Sequence, residues 1–257
     1  MTTVQNGSAY AEVNGLEMYY EVRGVDRAPR RPLVLLHGGV LTVGLSFGAV
    51  LPALAADRPV VAPELQGHGH TADVDRAMRV PDLASDVVAL LDAIGVEEAD
   101  LLGYSLGGLI ALEIGVRHPG RVGRLVLAAA PYTQDGVHEE VRAPDYSSPR
   151  LPGEADFREM ADAYAASAPY PERFEDLLAK CSAAAHAPLP WTADDLRGLA
   201  APTLLVIGDT DFVRVEHAAE MQRLIPRSRP AVLPATTHMT LMRRTSLLLP
   251  LLDEFLG

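Results

Sequence analysis

The sequence predicts an α/β fold, a mostly parallel β-sheet with helices packed on both faces. Three observations carry this. Short apolar runs of strand length alternate with longer amphipathic segments along most of the 257 residues. Two of the runs, Pro32-Leu33-Val34-Leu35-Leu36 and Arg58-Pro59-Val60-Val61-Ala62, are apolar without alternation, as expected of strands covered on both faces. Finally, Gly103-Tyr104-Ser105-Leu106-Gly107 joins a strand pattern directly to a helical one. Repeated strand–helix units feed parallel strands, and in such sheets the chemistry collects at the carboxyl ends.

In chain order, Ala9 to Val13 and Leu16 to Arg23 flank Asn14-Gly15, a dipeptide suited to a tight hairpin turn. The two buried runs follow. Asp82 to Ile94 is a helix, with Leu83, Val87, Leu90, Leu91 and Ile94 on one stripe. Ala99-Asp100-Leu101-Leu102 ends a strand, Leu106 to Arg117 is a helix, and Val122 to Ala129 is a strand. After Pro131 the pattern changes. Phe157, Met160, Ala161 and Tyr164 form one helical stripe, and Phe174, Leu177, Leu178 and Cys181 another, among prolines from Pro144 to Pro190. We read 131–199 as a small helical insertion and 1–130 with 200–257 as the core. The strand Thr203 to Ile207, the helix Val215 to Leu224, the strand Pro230 to Leu233 and a helix ending near Leu256 resume the alternation.

At 48% hydrophobic, the chain can bury a large core. Its formal charge of −12 argues against nucleic acid or an anionic membrane surface as partner. No apolar run is long enough to cross a bilayer, and Met1 to Asn6 has no basic or apolar leader character. Cys181 is the only cysteine, which excludes an internal disulfide and a thiolate metal site. A cytoplasmic protein acting on a small molecule is expected.

Ser105 is the chemical centre of the sequence. A strand that turns straight into a helix must fold sharply. Gly103 and Gly107 lack a Cβ, so the two arms can cross closely, and the serine is pushed out at the tip. The backbone N–H of Leu106 then points at whatever Ser105 attacks. This is the G-x-S-x-G nucleophile elbow. A serine needs a base, and the base an orienting acid. His238 lies just past the last strand, and Asp209 and Asp211 follow the strand before it. The order Ser…Asp…His along the chain suits this scaffold.

With those residues in place, the chain resembles the α/β-hydrolases over nearly its whole length, closest to the small cofactor-free esterase, lactonase and haloperoxidase-like members. His37-Gly38-Gly39 resembles the family's oxyanion turn, and Gln66-Gly67-His68-Gly69-His70 its Gly-His-Gly loop. The resemblance implies eight strands with the second antiparallel, and a helical lid after the sixth, matching 131–199. It implies Ser105, His238 and Asp211 as catalytic residues, since the family's acid lies three residues after the glycine and Gly208 selects Asp211. Asp209 is then left to bond backbone N–H groups of its own turn. It also implies oxyanion donors at the N–H groups of Gly39 and Leu106, and neither metal nor organic cofactor. Glu64 is a departure, because members often carry aspartate there, and it bears on loop packing.

Other histidines are read as structural: His37 pins the oxyanion turn, His68 and His70 stabilise their loop, and His118 caps a helix end. His138, His186 and His217 fall at insertion or surface positions. Val40, Leu41, Tyr132, Trp191, Val213 and Met239, with the two insertion stripes, are expected to wall an apolar pocket. The expected reaction is cleavage of a carboxylic ester or lactone through an acyl-enzyme. Perhydrolysis or C–C bond hydrolysis on the same residues is the alternative, and a small-molecule receptor on a hydrolase fold is an alternative of another class.

Overall fold

The computed structural model describes residues 5–25 and 30–257. Residues 1–4, which hold most of the amino-terminal stretch read above for a leader, lie outside them.

Eight strands form one sheet: β1 (Gly7–Val13), β2 (Leu16–Arg23), β3 (Leu33–Leu36), β4 (Val60–Pro63), β5 (Ala99–Tyr104), β6 (Val122–Ala128), β7 (Thr203–Thr210) and β8 (Ser228–Thr237). Their order is β1-β2-β4-β3-β5-β6-β7-β8. β2 runs antiparallel to both its neighbours, and every pairing from β4 to β8 is parallel. Asn14 and Gly15 close the first hairpin with φ of 50° and 79°, the left-handed pair that a two-residue turn requires.

The helices before β7 are α1 (Val43–Phe47), α2 (Leu51–Leu54), α3 (Val80–Ala93), α4 (Leu106–Arg117), α5 (Glu139–Arg142), α6 (Glu154–Ser167), α7 (Phe174–His186) and α8 (Ala193–Arg197). α9 (Val215–Leu224) and α10 (Thr245–Leu256) complete the set. Successive strand residues point to opposite faces, which splits the interior into two cores. In β3, Leu33 and Leu35 share one core with Phe47 of α1 and Leu248 of α10. Val34 and Leu36 share the other with Val87 of α3 and Ile110 of α4. A strand buried on both sides therefore has no polar register to show in sequence.

The outermost strand departs from expectation. β8 is ten residues long, although only Pro230 to Leu233 read as strand. It is an edge strand with most of its side chains partly or fully exposed, so polar residues and two prolines are tolerated along it.

Between β6 and β7 lie α5 to α8. α7 is tied to the loop after β4 by Lys180, the sole lysine. Its Nζ donates to Asp73 Oδ2 at 2.7 Å and to the carbonyls of Val74 and Arg76, each at 3.0 Å.

Candidate active site

β3 and β5 are parallel neighbours in the middle of the sheet, with Leu36 opposite Gly103. The loop after β3 and the turn after β5 therefore emerge side by side at the carboxyl edge. The turn is as tight as its glycines allow. A Cβ on Gly103 would lie 2.2 Å from the Gly107 carbonyl oxygen, and one on Gly107 would lie 1.9 Å from that of Leu36. Ser105 itself has φ 55° and ψ −117°, a conformation that costs about 1–3 kcal/mol for a residue with a Cβ. It is held there by β5 below, α4 above and a bond from its own N–H to the Ala128 carbonyl (2.8 Å).

Ser105, His238 and Asp211 form one hydrogen-bonded chain. His238 Nδ1 lies 2.7 Å from Asp211 Oδ1, and His238 Nε2 lies 2.9 Å from Ser105 Oγ. A carboxylate can only accept, so Nδ1 carries the proton and leaves Nε2 bare to accept from the serine hydroxyl. Asp211 is fully buried, and its carboxylate also accepts from the N–H groups of Phe212 (2.6 Å) and Gly208 (3.1 Å). Asp209 behaves differently. It is exposed and accepts from the N–H groups of Ala235 and Thr236 at 2.8 and 3.0 Å, which belong to the neighbouring strand β8 and not, as expected, to its own turn, so it pins the end of the strand that leads to His238. Those N–H bonds, Thr236 first, hold its carboxyl below the usual carboxylate range.

Two contacts to His238 had no signal in the sequence. Phe212 lies flat on its imidazole, with ring centroids 3.7 Å apart and planes at 3°. Tyr104, the residue before Ser105, donates its hydroxyl to the His238 carbonyl at 2.6 Å. Burial raises the Tyr104 pKa, which keeps the phenol a donor.

The loop after β3 is fixed by two buried imidazoles. His37 Nε2 accepts from the Leu65 N–H at 3.0 Å, so its Nδ1–H donates to the Gly38 carbonyl at 2.8 Å. His68 accepts from the Val40 N–H at 3.0 Å and donates to the Gln66 carbonyl at 2.8 Å. Desolvation lowers their pKa values to about 3 and about 4, so both rings are neutral and fully engaged with backbone. Val40, whose N–H donates to His68, has φ 64°, an unusual place for a β-branched residue. The N–H of Gly39 has no acceptor among the described residues. Leu106, first in α4, has no acceptor within its helix either. Glu64 is buried under the same loops and accepts from the His70 N–H at 2.6 Å and from His70 Nδ1 at 2.8 Å.

A cavity of about 470 Å³ opens onto Ser105 and His238. Gly39, Val40, Leu41, Leu106, Val213 and Met239 line it. So do Phe157 and Met160 of α6, and Leu178 and Cys181 of α7. Burial pushes the Cys181 thiol up to about 12, so it is an inert wall residue. Gln134, Arg142, Ser182 and His186 add polar groups to the lining.

Tyr132 and Trp191 do not line the cavity, contrary to expectation. Each buries a ring whose polar tip needs an acceptor, and the acceptor lies elsewhere. Trp191 Nε1 donates to Glu113 of α4 at 2.6 Å. Tyr132 donates to Glu220 of α9 at 2.7 Å and stacks on His217. His217 is correspondingly a core residue and not a surface one. It is 2% exposed and accepts from the Tyr132 N–H at 3.2 Å.

Residues 33–247 match the model of the alpha/beta hydrolase family, and the chain belongs to that family. It is 36% identical over 137 residues to a 2-hydroxymuconate semialdehyde hydrolase of a Pseudomonas species, covering 52% of this chain and 47% of the relative. The chain thus spans about half the length of that relative or less of the next ones, such as the pyrrolizixenacetamide deacetylase of Xenorhabdus hominickii (41%). A longer match, 26% identical, covers 88% of this chain and 89% of a 2-hydroxy-6-oxo-2,4-heptadienoate hydrolase of Pseudomonas putida. Among solved structures, a meta-cleavage product hydrolase from Pseudomonas fluorescens superposes with a TM-score of 0.77 at 22% identity, covering 96% of both chains. The enol-lactonase of Burkholderia xenovorans does so with a TM-score of 0.73 at 22% identity, covering 96% of this chain and 99% of the other. Likenesses of that identity speak to the fold. Among the described residues, no helix is long and apolar enough to cross a membrane.

Proposed function

We propose that this hydrolase-family chain is a serine hydrolase that cleaves a carboxylic ester or lactone with an apolar acyl part. The observation that carries the reading is the Ser105–His238–Asp211 chain of bonds, 2.9 and 2.7 Å long, opening onto a largely apolar cavity. In this reading His238 Nε2 takes the Ser105 proton as Oγ attacks the acyl carbon. Asp211 keeps the imidazole in the useful tautomer and stabilises it when charged. The free N–H groups of Gly39 and Leu106 receive the oxyanion, each such donor contributing about 3–4 kcal/mol. His238 then protonates the departing alkoxide, and water, deprotonated by the same nitrogen, releases the acid and restores Ser105. The segment from α5 to α8 acts as the lid that gives the cavity its far wall.

A second reading is hydrolysis of a C–C bond beside a carbonyl on the same residues. The names of the relatives favour it: semialdehyde and oxo-dienoate hydrolases recur among them. The two readings separate on substrate. The test is intact-mass spectrometry after a fluorophosphonate, on the wild type and Ser105→Ala, beside a panel of nitrophenyl esters, lactones and an oxo-dienoate. One adduct that Ser105→Ala abolishes, with ester or lactone turnover reduced by several orders of magnitude in that variant, is the expected result. Turnover of the dienoate alone selects the second reading. An adduct with tight ligand retention and no turnover selects a receptor, and no adduct refutes the nucleophile.

A further inference from the structure

The segment joining α5 to α6 lines the cavity with Tyr146 and Pro152, and at Arg150 it also touches the loop that carries Asp211. Arg150 Nη1 donates to the main-chain carbonyl of Asp211 at 2.9 Å, and its Nε donates to Glu140 Oε1 of α5 at 3.0 Å. We propose that Arg150 is a positioning residue, whose guanidinium holds the loop carrying Asp211 and Phe212 against His238. The inference rests on the reading of Ser105, His238 and Asp211 as the reacting set.

The loop from Asp211 to Arg214 is bound to the inserted segment along its length, but not by the same means throughout. The Phe212 carbonyl accepts from the His138 N–H, and the Arg214 N–H donates to the Gly136 carbonyl, both at 2.9 Å. Val137 and Val213 form the bridge between them. These bonds are main chain to main chain and are indifferent to side-chain identity. At Asp211 that pairing ends. The residue is fully buried, so its carbonyl has no water to accept from, and a buried carbonyl without a donor is costly. Arg150 supplies the donor. It is a charged one, oriented by Glu140 and only 21% exposed, which makes the bond stronger than a neutral one.

What the loop carries explains why this matters. Asp211 supplies the 2.7 Å bond to His238 Nδ1, and its neighbour Phe212 supplies the plane on which the imidazole lies. An outward shift of the loop lengthens the first contact and opens the second. Val141, Arg142, Tyr146 and Pro152, near Arg150 in the chain, line the cavity, whereas Arg150 does not. Order in the segment that covers the substrate is thereby coupled to alignment of the base. Arg150 itself has no part in binding.

The experiment compares wild type, Arg150→Ala, Arg150→Lys and, as a surface control, Arg158→Ala, whose partner Glu154 is an exposed neighbour on α6. Fluorophosphonate inactivation rates report the reactivity of Ser105 without an acyl pocket, kcat and KM are measured on a hydrolysed ester, and melting curves are recorded. Arg150→Ala is expected to lower the inactivation rate and kcat together by about 10–100-fold with KM little changed, the size of effect a remote misplacement produces. Arg150→Lys, which keeps one donor, recovers part of the rate, and Arg158→Ala matches wild type. Inactivation of Arg150→Ala at the wild-type rate overturns the inference while leaving the reacting set intact. So does a rate loss confined to temperatures at which the variant is unfolding, or an effect on KM alone. Absence of labelling in the wild type overturns the reading of the reacting set and this inference with it.

Discussion

Asp209 lies at the end of β7 and Asp211 just past it, yet their carboxylates meet different partners. Asp211 is buried and meets His238, while Asp209 is exposed and meets two N–H groups of β8, the strand that leads to His238. Asp211→Asn replaces the acceptor with an amide that can trap the wrong imidazole tautomer, and is expected to cut kcat by about 10³–10⁴-fold. Asp209→Asn keeps one oxygen acceptor and is expected to change kcat by less than about tenfold. Steady-state rates on a common substrate check both, and the reverse ranking would transfer the acid role. The residues alone left both aspartates open, and Gly208 pointed to Asp211 only through the family resemblance, which places the acid three residues after that glycine. Tyr104 and Phe212 also contact His238 and left no such mark. The hydroxyl of Tyr104 meets a carbonyl 134 residues away, and no local period records a contact of that kind.

At the scale of elements, the turn at Ser105 was legible because its cause is local. Two glycines four residues apart are needed wherever a strand and a helix cross within van der Waals contact of a neighbouring strand. The extent of β8 was not legible, since an edge strand has a wet side and carries polar residues and prolines there. Nor was the anchoring of α7. Lys180, the sole lysine, sits where three oxygens converge from the loop after β4. Lys180→Met keeps much of the stem and removes the ammonium. It leaves Asp73, 12% exposed, with Gln66 and Arg173 as partners and is expected to cost about 1–3 kcal/mol. Hydrogen exchange should then quicken in 174–186 and in 73–76 while β3 and β5 stay protected. Uniform protection in the variant would show that packing alone holds α7.

For the whole molecule, the two buried imidazoles at the β3 loop link stability to pH. In the folded chain burial holds His37 near 3 and His68 near 4, whereas an unfolded histidine titrates at about 6.5. As the pH falls from about 6.5 the unfolded chain takes up protons that the folded chain refuses, so the stability present above about 6.5 is lost toward about 4. Melting curves between about pH 7.5 and about pH 4.5 should show Tm falling through that window, with a shallower fall for His68→Gln. A Tm independent of pH over the range would mean that these rings are not held neutral. What the sequence by itself determined is everything set by short-range geometry: the alternation of strands and helices, the strained turn at Ser105, and the spacing of Asp211 and His238 behind their strands. Period and steric crowding act over a few residues, so they are written in a few residues. Tertiary structure alone decided which rings face the cavity and which turn to Glu113 or Glu220, what lies on His238, and what holds the loop of Asp211. Those outcomes depend on where a buried polar tip finds its partner, and the partner arrives from a distant part of the chain only when the sheet has closed around it.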